Sequence, residues 1–275
     1  MMFINFRAQK KGNHLSLIFP GWKPAERVAF FSPHDDDVVL GAGYLLLATL
    51  QQGGFPHIFI FCRGDAGYSK LAQKKGIVTR RRREAVQAYA ELGVAEANIH
   101  FFDIPDFSLM AHLDRMSHAG KKGLFEPLLR KLRQEKFSRV VFSNGSCEHW
   151  DHTATFFLGI YTSPQAQDFI LVDLGQPSPI QSYLAYSVWA DFEPGEKNHD
   201  NLSADVGILA SAEEEEKVQT AIRAFSSQER IIQDILARRA KRKFKGRYLE
   251  LYKNYQARKP VDYQPYFRVL KKIFY

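Results

Sequence analysis

Three features that mark special classes of protein are scarce in this sequence. Only two cysteines, Cys62 and Cys147, occur among 275 residues, which is too few for a disulfide framework and typical of a reducing compartment. The longest mostly apolar run covers residues 41–50, whereas a membrane-spanning helix needs about 20 residues. No apolar stretch follows the basic residues near the start, so no secretory signal is expected. The sequence predicts a soluble, cytoplasmic protein.

Positive charge is in excess in only one part of the chain. Residues 238–275 contain 13 Lys and Arg and two acidic residues, a net charge of +11, whereas residues 1–237 carry 25 basic and 28 acidic residues, a net charge of −3. A basic segment of this kind can bind nucleic acid, an anionic membrane surface or an acidic partner. The charge therefore describes the C-terminal segment and not the main body.

The aromatic residues of the basic segment suggest which of these partners it meets. Tyr248, Tyr252 and Tyr255 follow the spacing i, i+4, i+7 and would share one face of a helix. A basic helix with an aromatic stripe can lie on an anionic membrane, so we expect an extension at 238–275 that holds the protein at the inner membrane face. No nucleic-acid partner is expected. The alternative is that the tyrosines pack a C-terminal helix onto the body.

Short apolar runs alternate with helix-length segments along the main body. This alternation predicts βαβ crossovers and a Rossmann-like α/β fold, with a largely parallel sheet and helices on both faces. We expect a single domain at 1–237, with an irregular start over residues 1–26. The predicted strands are at 27–32, 57–62, 98–102, 139–143, 169–174 and 183–189, and the predicted helices are at 38–50, 79–92, 123–136, from 151, and at 211–237.

Two polar clusters follow predicted strands. The first is Ser32–Asp37, with a histidine and three consecutive aspartates, and the second is Glu148–His152, with two histidines around an aspartate. Adjacent carboxylates repel one another and favour a nearby cation, and histidine with carboxylate is a suitable ligand set for Zn²⁺. Parallel strand ends can bring both clusters to one crevice. The alternatives are a solvated acidic turn and an exposed loop with incidental histidines.

The clusters belong to an ordered series of short motifs. The series consists of Pro33–Gly43 (PHDDDVVLGAG), Arg81–Glu84 with Leu92-Gly93, Pro105-Asp106, His149–His152 (HWDH) and Ser227-Gln228. In this order, within residues 27–230, it resembles the PIG-L/LmbE-like family of zinc-dependent N-acetylglucosaminyl deacetylases. The sequence departs from the family pattern where Asp35 replaces a proline, Val38 a glutamate and Phe225 a histidine.

The resemblance implies an LmbE-like fold and hydrolysis of a linear amide, the N-acetyl group of an N-acetylated amino sugar in a glycan or glycoconjugate. It implies one Zn²⁺ per chain and assigns a role to each matching residue. The implied zinc ligands are His34, Asp37 and His152, the implied general base is Asp36, His149 would stabilise the oxyanion with Asp151 orienting its ring, and Arg81 and Asp106 would contact the substrate. An alternative for Arg81 is an ion pair with Glu84 on a solvated helix face.

Two other functional classes stay open at this point. A metal-dependent glycosyltransferase could use Asp35–Asp37 to hold a metal and a nucleotide, although His34, His149 and His152 would then have no role. A non-enzymatic module could bind anionic surfaces through residues 238–275, with the body as scaffold. Stoichiometric zinc would favour the deacetylase over both.

Overall fold

The computed structural model describes residues 1–116, 123–192 and 201–274. Within these ranges the chain forms ten strands and seven α-helices around one sheet. The strands are β1 (Met2–Asn5), β2 (Lys10–Gly12), β3 (Arg27–Ser32), β4 (Phe55–Cys62), β5 (Ile99–Ile104), β6 (Arg139–Ser143), β7 (Ser182–Tyr186), β8 (Val206–Ala210), β9 (Lys243–Phe244) and β10 (Arg247–Tyr255). The helices are α1 (Asp37–Gln51), α2 (Ile77–Glu91), α3 (Phe125–Gln134), α4 (Trp150–Phe157), α5 (Ala212–Arg223), α6 (Glu229–Ala240) and α7 (Gln264–Phe274).

Half of the sheet is parallel and confirms the predicted fold class. The strand order is β2-β1-β8-β10-β7-β6-β3-β4-β5, and neighbours from β7 to β5 run parallel. Their apolar runs suit strands that are buried on both faces. Since β3 and β6 are adjacent and parallel, the polar segments that follow them leave the same edge of the sheet. We call this the carboxyl edge.

Helices cover both faces of the sheet. Alternate residues of β3 point to opposite sides, so that Val28 and Phe30 join one core cluster and Ala29 and Phe31 the other. The first core cluster is completed by apolar residues of α1, α2 and α5. The second is completed by residues of α3 and α4. The predicted two-sided arrangement is therefore confirmed.

The predicted long helix at 211–237 is two helices in the structure. Phe225, with φ −77° and ψ 56°, leaves the helical region between α5 and α6. Glu84 of α2 stabilises the break, because its carboxylate accepts hydrogen bonds from the Ser227 backbone N–H at 2.9 Å and the Ser227 hydroxyl at 2.6 Å. Tertiary contacts thus end a helix that the local sequence would continue.

Residues 238–275, expected to be an extension with a helical tyrosine stripe, instead complete the sheet up to Tyr255. Strand β10 lies between β8 and β7 and is antiparallel to both, so the helical interpretation of the tyrosines is wrong. A kink in α1, where Ala42 has φ −137°, explains the strand's buried polar side chains. Glu250 accepts a hydrogen bond from the Tyr44 N–H at 2.9 Å, and the Tyr252 hydroxyl accepts one from the Leu45 N–H at 3.2 Å.

Two further expectations are corrected by the structure. The predicted strand at 169–174 is irregular and ends in a short 3₁₀ turn at Val172–Leu174. The buried guanidinium of Arg133 explains this, since it donates to the carbonyl oxygens of five residues between 165 and 171 and so removes acceptors that a sheet would need. Residues 1–26, predicted to be irregular, contribute β1 and β2 to the sheet.

Candidate metal centre and active site

The two polar clusters of the sequence meet at the carboxyl edge. The first fills the turn from β3 into α1, where the Ser32 hydroxyl accepts a hydrogen bond from the Val38 N–H at 3.3 Å and donates to the His34 carbonyl. The second fills the loop from β6 into α4, which begins with His149 as its N-cap. The ring centroids of His34 and His152 are 5.7 Å apart. The expectation that one crevice holds both clusters agrees with this geometry.

His34, Asp37 and His152 form a group of potential metal ligands. Their ligand atoms all lie within 4.8 Å of one another. Asp37 is central, because its Oδ2 is 3.1 Å from Nδ1 of His34 and its Oδ1 is 3.2 Å from Nε2 of His152. Two imidazoles and one carboxylate are a donor set that Zn²⁺ accepts in catalytic sites. The residues present therefore fit the metal that the resemblance implies.

The electrostatic environment of His34, Asp37 and His152 favours a nearby positive charge. Burial disfavours the charged imidazolium of His152, but Asp37 and the hydrogen bonds to Asp37 and Glu148 outweigh it and raise the pKa of His152 to about 9. Burial also opposes ionisation of Asp37, yet the two histidines hold its pKa well below the usual range. The surrounding carboxylates thus create a negative potential where a cation would sit.

Glu148 supports this group although the sequence analysis gave it no role. Its Oε2 is 2.6 Å from Nδ1 of His152, which leaves Nε2 directed at Asp37. Its Oε1 accepts hydrogen bonds from the backbone N–H groups of Val188 and Trp189 at 2.9 and 2.8 Å. A carboxylate on the far nitrogen of a ligating histidine fixes its tautomer and raises its basicity. The i, i+4 spacing of Glu148 and His152 is the signal that could have identified it.

Asp36 lines the cavity beside the metal group and is the least restrained carboxylate of its cluster. It precedes α1 without a side-chain capping bond, and its Oδ2 is 3.4 Å from Nη2 of Arg81. Burial raises its pKa to about 7, with Arg81 opposing the shift and Asp35 and Asp37 adding to it. A carboxylate with this pKa exchanges protons near neutrality.

His149 faces the same cavity with one nitrogen already engaged. Its Nδ1 accepts a hydrogen bond from the Asp151 backbone N–H at 3.1 Å, so the proton of the neutral ring is on Nε2. The carboxylate of Asp151 is 3.5 Å from the same Nδ1 and 3.3 Å from Nε2 of His34. It also accepts hydrogen bonds from the Phe107 and Leu109 N–H groups, at 2.7 and 3.2 Å. The backbone of Asp151, more than its carboxylate, orients His149.

Arg81 is buried against Asp35 and does not form the expected pair with Glu84. Its Nε lies 3.0 Å from Asp35 Oδ2, and its Nη2 contacts the other oxygen of the same carboxylate. Glu84 pairs with Arg80 instead, at 2.9 Å. This two-point contact between segments 46 residues apart fixes α2 against the turn that carries the aspartates.

Asp106 forms part of the cavity wall through backbone contacts. Its Oδ1 accepts a hydrogen bond from the Gly64 N–H at 2.8 Å, and its Oδ2 accepts one from the Ala66 N–H at 3.0 Å. Asp106 and Arg81 both line the cavity, but both oxygens of Asp106 and the Nε and Nη2 of Arg81 already have partners in the protein. The structure therefore brings all eight predicted site residues together. Arg81 and Asp106 also have hydrogen-bond partners within the protein.

The cavity has a volume of about 210 Å³ and adjoins a larger one. The larger cavity, of about 450 Å³, is lined by residues 187–192, 241–244 and 249–251 together with Gly41. Trp189 lines both cavities. The larger cavity is bounded by strand β10 and the three consecutive cations at 241–243.

Comparison with known proteins identifies a family match for the part of the chain that carries these residues. Residues 29–162 match the family model PIG-L, GlcNAc-PI de-N-acetylase. This match confirms the resemblance drawn from the motifs and supports a deacetylase of an N-acetylated sugar. A search of curated proteins found no match.

Solved structures share the fold at low sequence identity. N,N'-diacetylchitobiose deacetylase from Pyrococcus horikoshii is 20% identical with a TM-score of 0.65, covering 84% of this chain and 84% of that one. 4-Carboxy-2-hydroxymuconate hydratase from Pseudomonas putida is 19% identical with a TM-score of 0.64, covering 86% and 99%. A zinc-inhibited form of teicoplanin deacetylase is 18% identical with a TM-score of 0.52, covering 84% and 99%. Since both deacetylases and a hydratase share this fold, the fold alone does not decide the reaction.

Proposed function

We propose, from the PIG-L match over residues 29–162, that this protein is a zinc-dependent hydrolase that removes the N-acetyl group of an N-acetylated amino sugar. The observation that carries the proposal is the convergence of His34, Asp37 and His152 within 4.8 Å, beside a buried carboxylate whose pKa is about 7. A metal group next to a proton acceptor is what amide hydrolysis requires.

We assign one Zn²⁺ per chain to His34, Asp37 and His152. When bound, zinc supplies a Lewis acid that polarises the amide carbonyl and lowers the pKa of water towards about 7. Glu148 positions the ring of His152 through the 2.6 Å contact at Nδ1. Asp151 contacts Nε2 of His34 at 3.3 Å and so helps to fix the second imidazole.

Asp36 is the proposed general base. Its carboxylate faces the cavity and can take a proton from the attacking water at one of its oxygens, then deliver that proton to the departing amine nitrogen. Arg81, 3.4 Å away, keeps a share of Asp36 ionised at neutral pH against the effect of burial. Positioned groups of this kind contribute about 10²–10⁴-fold to the rate.

His149 is the proposed stabiliser of the tetrahedral oxyanion. Its Nδ1 accepts the Asp151 N–H, so its Nε2–H is available to donate to the developing negative charge. Burial and the neighbouring His34 lower the pKa of His149, which keeps the ring neutral and its proton on one nitrogen.

The sugar enters the cavity whose wall includes Arg81 and Asp106. Arg81 does not meet it as a free cation. Because Asp35 occupies both the Nε and the Nη2 of Arg81, we assign Arg81 mainly to positioning Asp36. Asp106 stabilises the 64–66 turn and so shapes the cavity that receives the sugar. The larger cavity beyond Trp189 is the proposed space for the remainder of a glycan or glycoconjugate.

The glycosyltransferase alternative loses support on the same contacts. An Asp-x-Asp metal motif would use Asp35 and Asp37, but Arg81 already neutralises Asp35.

The chain's two cysteines are unpaired thiols, which supports our proposal of a cytoplasmic location. No helix within the described ranges combines the length and apolarity needed to cross a membrane.

Zinc content and acetate release on a panel of N-acetylated amino sugars test this function. We expect about one zinc per chain and acetate release that a chelator abolishes and added zinc restores. His34→Ala and His152→Ala are the paired variants, and both should lose zinc and activity together. Acetate release that persists in both variants, or a zinc-loaded protein inactive on every member of the panel, would contradict the proposal.

A further inference from the structure

Helix α7 (Gln264–Phe274) is unlike the other six helices because none of its residues is buried. Its large apolar side chains are 44–74% exposed, and they contribute to neither core cluster. These side chains are Tyr266, Phe267, Val269, Leu270, Ile273 and Phe274. Six such residues on a helix of 11 form an apolar surface that water does not favour.

The apolar and charged side chains of α7 are completely segregated. At roughly 100° per residue, the six apolar side chains occupy an arc of about 160°. Arg268, Lys271 and Lys272 all lie on the opposite side, and α7 contains no acidic residue. The helix therefore presents one apolar face and, opposite it, one cationic face.

The chain before α7 separates it from the domain. Arg258 fixes the chain to Asp168 through a two-point ion pair, with Nη2 2.7 Å from Oδ2. The segment 259–263 then runs fully exposed to Asp262, whose Oδ1 accepts the Gln264 N–H at 3.0 Å as α7 begins. The helix is thus held on a short exposed arm beyond the last strand.

We propose that α7 binds the surface of an anionic lipid bilayer, lying in the plane of the headgroups with its apolar face inserted. Helices with this distribution of residues bury their apolar face about 5–10 Å into the headgroup boundary while their cations meet acidic lipids. Charge complementarity favours this occupant over a second copy, because acidic headgroups would neutralise Arg268, Lys271 and Lys272, whereas a second α7 has no acidic residue to pair with them. The inference is independent of the deacetylase activity.

The proposal moves the expected membrane contact from residues 238–275 to α7. Residues 247–255 form a central strand, so Tyr248 and Tyr252 are committed to the sheet. In this proposal the lipid surface contacts only α7, the exposed helix that follows β10. Deleting the whole basic segment would therefore unfold the domain and could not test membrane binding.

Co-sedimentation of the full-length protein with vesicles tests the proposal. We expect binding to vesicles of phosphatidylcholine and phosphatidylglycerol in equal parts, and little binding to phosphatidylcholine alone. The triple change Arg268→Gln, Lys271→Gln and Lys272→Gln should weaken binding by about 100-fold, since each cation contributes roughly fivefold. The apolar double change Leu270→Gln and Ile273→Gln should weaken it at least as much.

A charge-matched variant separates specific binding from net charge. Lys10→Gln, Lys11→Gln and Lys23→Gln remove the same charge from exposed positions of the body and should leave vesicle binding within about twofold of wild type. Equal weakening by both triple variants would overturn the assignment to α7. Absence of vesicle binding, with a dimer in sedimentation equilibrium that Leu270→Gln dissociates, would overturn it in favour of a second copy.

Discussion

Two histidine clusters lie at opposite edges of the parallel half of the sheet. His34, Asp37 and His152 form a carboxyl-edge cluster, whereas His57, His100 and Glu135 form an amino-edge cluster where β4 and β5 begin. Both offer two imidazoles and one carboxylate, and in both the ligand atoms lie within 4.8 Å of one another. Geometry alone would make either a metal site.

Their surroundings give the two clusters opposite electrostatic character. In the amino-edge cluster, burial lowers the pKa of His57 to about 4, aided by Arg27 and Lys131 and opposed by Glu135. The Lys131 ammonium is 2.6 Å from Oε1 of Glu135, so the only carboxylate of that cluster is already neutralised. In the carboxyl-edge cluster, Asp37 and Glu148 raise the pKa of His152 to about 9. The carboxyl-edge cluster differs because Asp37 and Glu148 are paired with histidines, whereas Glu135 of the amino-edge cluster is paired with a lysine.

The largest effect that separates the two clusters is expected in turnover. Asp36→Asn keeps the size of the side chain but cannot accept a proton, so kcat for acetate release should fall about 10²–10⁴-fold while zinc is retained. Glu135→Gln in the amino-edge cluster is the matched carboxylate-to-amide control and should leave kcat unchanged. Steady-state kinetics with metal analysis on both variants measures the difference. A zinc-loaded Asp36→Asn enzyme with near-normal kcat would rule out Asp36 as the base.

The second largest difference between the two clusters is expected in zinc affinity. His152→Ala removes one of three proposed ligands, and zinc affinity should fall by about 100-fold or more. His100→Ala removes the equivalent residue type from the amino-edge cluster and should leave one zinc per chain. Competition titration against a chelator measures both affinities. A loss of zinc on His100→Ala, with none on His152→Ala, would reverse the assignment.

Glu148→Gln should have a smaller effect of the same kind. The amide cannot strengthen the basicity of His152 as the carboxylate does, so zinc affinity should fall about 10–100-fold. Glu91→Gln, an exposed change at the end of α2, controls for the loss of one negative charge. If zinc affinity is unaltered in Glu148→Gln, Glu148 stabilises the 187–190 loop and does not support the zinc ligand His152.

The smallest effect is expected in the pH dependence of stability. Unfolded His57 binds a proton near pH 6.5 and folded His57 only near pH 4. The unfolded state therefore binds more protons within that window, and the free energy of unfolding falls as pH drops through it. Between pH 7.5 and 6 the contribution of His57 should fall by about 0.7 kcal/mol. Chemical denaturation should give a correspondingly flatter pH dependence for His57→Gln, and a steeper one would contradict the lowered pKa.

The sequence was sufficient where a signal is local. The clusters at 32–37 and 148–152 lie soon after apolar runs, and the parallel pairing of β3 with β6 brings them together as expected. Glu148 was overlooked because its role depends on the orientation of His152, although the two are only four residues apart. The partner of Arg81 could not be predicted, since Asp35 is 46 residues away and Glu84 offered a nearer carboxylate.

The sequence was misleading where one spacing suits two structures. Tyr248 and Tyr252 are four residues apart, so they share a face of a helix and also a face of a strand. The structure uses the strand, because the kinked α1 needs acceptors from Glu250 and Tyr252. Likewise residues 169–174 are apolar enough for a strand, but Arg133 binds their carbonyl oxygens. Both outcomes were set by groups far away in the sequence.

The position of β10 has a consequence for the order of assembly. Because β10 lies between β8 and β7, the parallel strands and the β2-β1-β8 group remain two separate sheets until residues 247–255 have been synthesised. A ribosome delivers the N-terminal part first, so the edges of β7 and β8 stay unpaired in the nascent chain until residues 247–255 have emerged. Pairings across such sequence distances are slow to form. The sheet therefore closes only when β10 joins the two groups of strands.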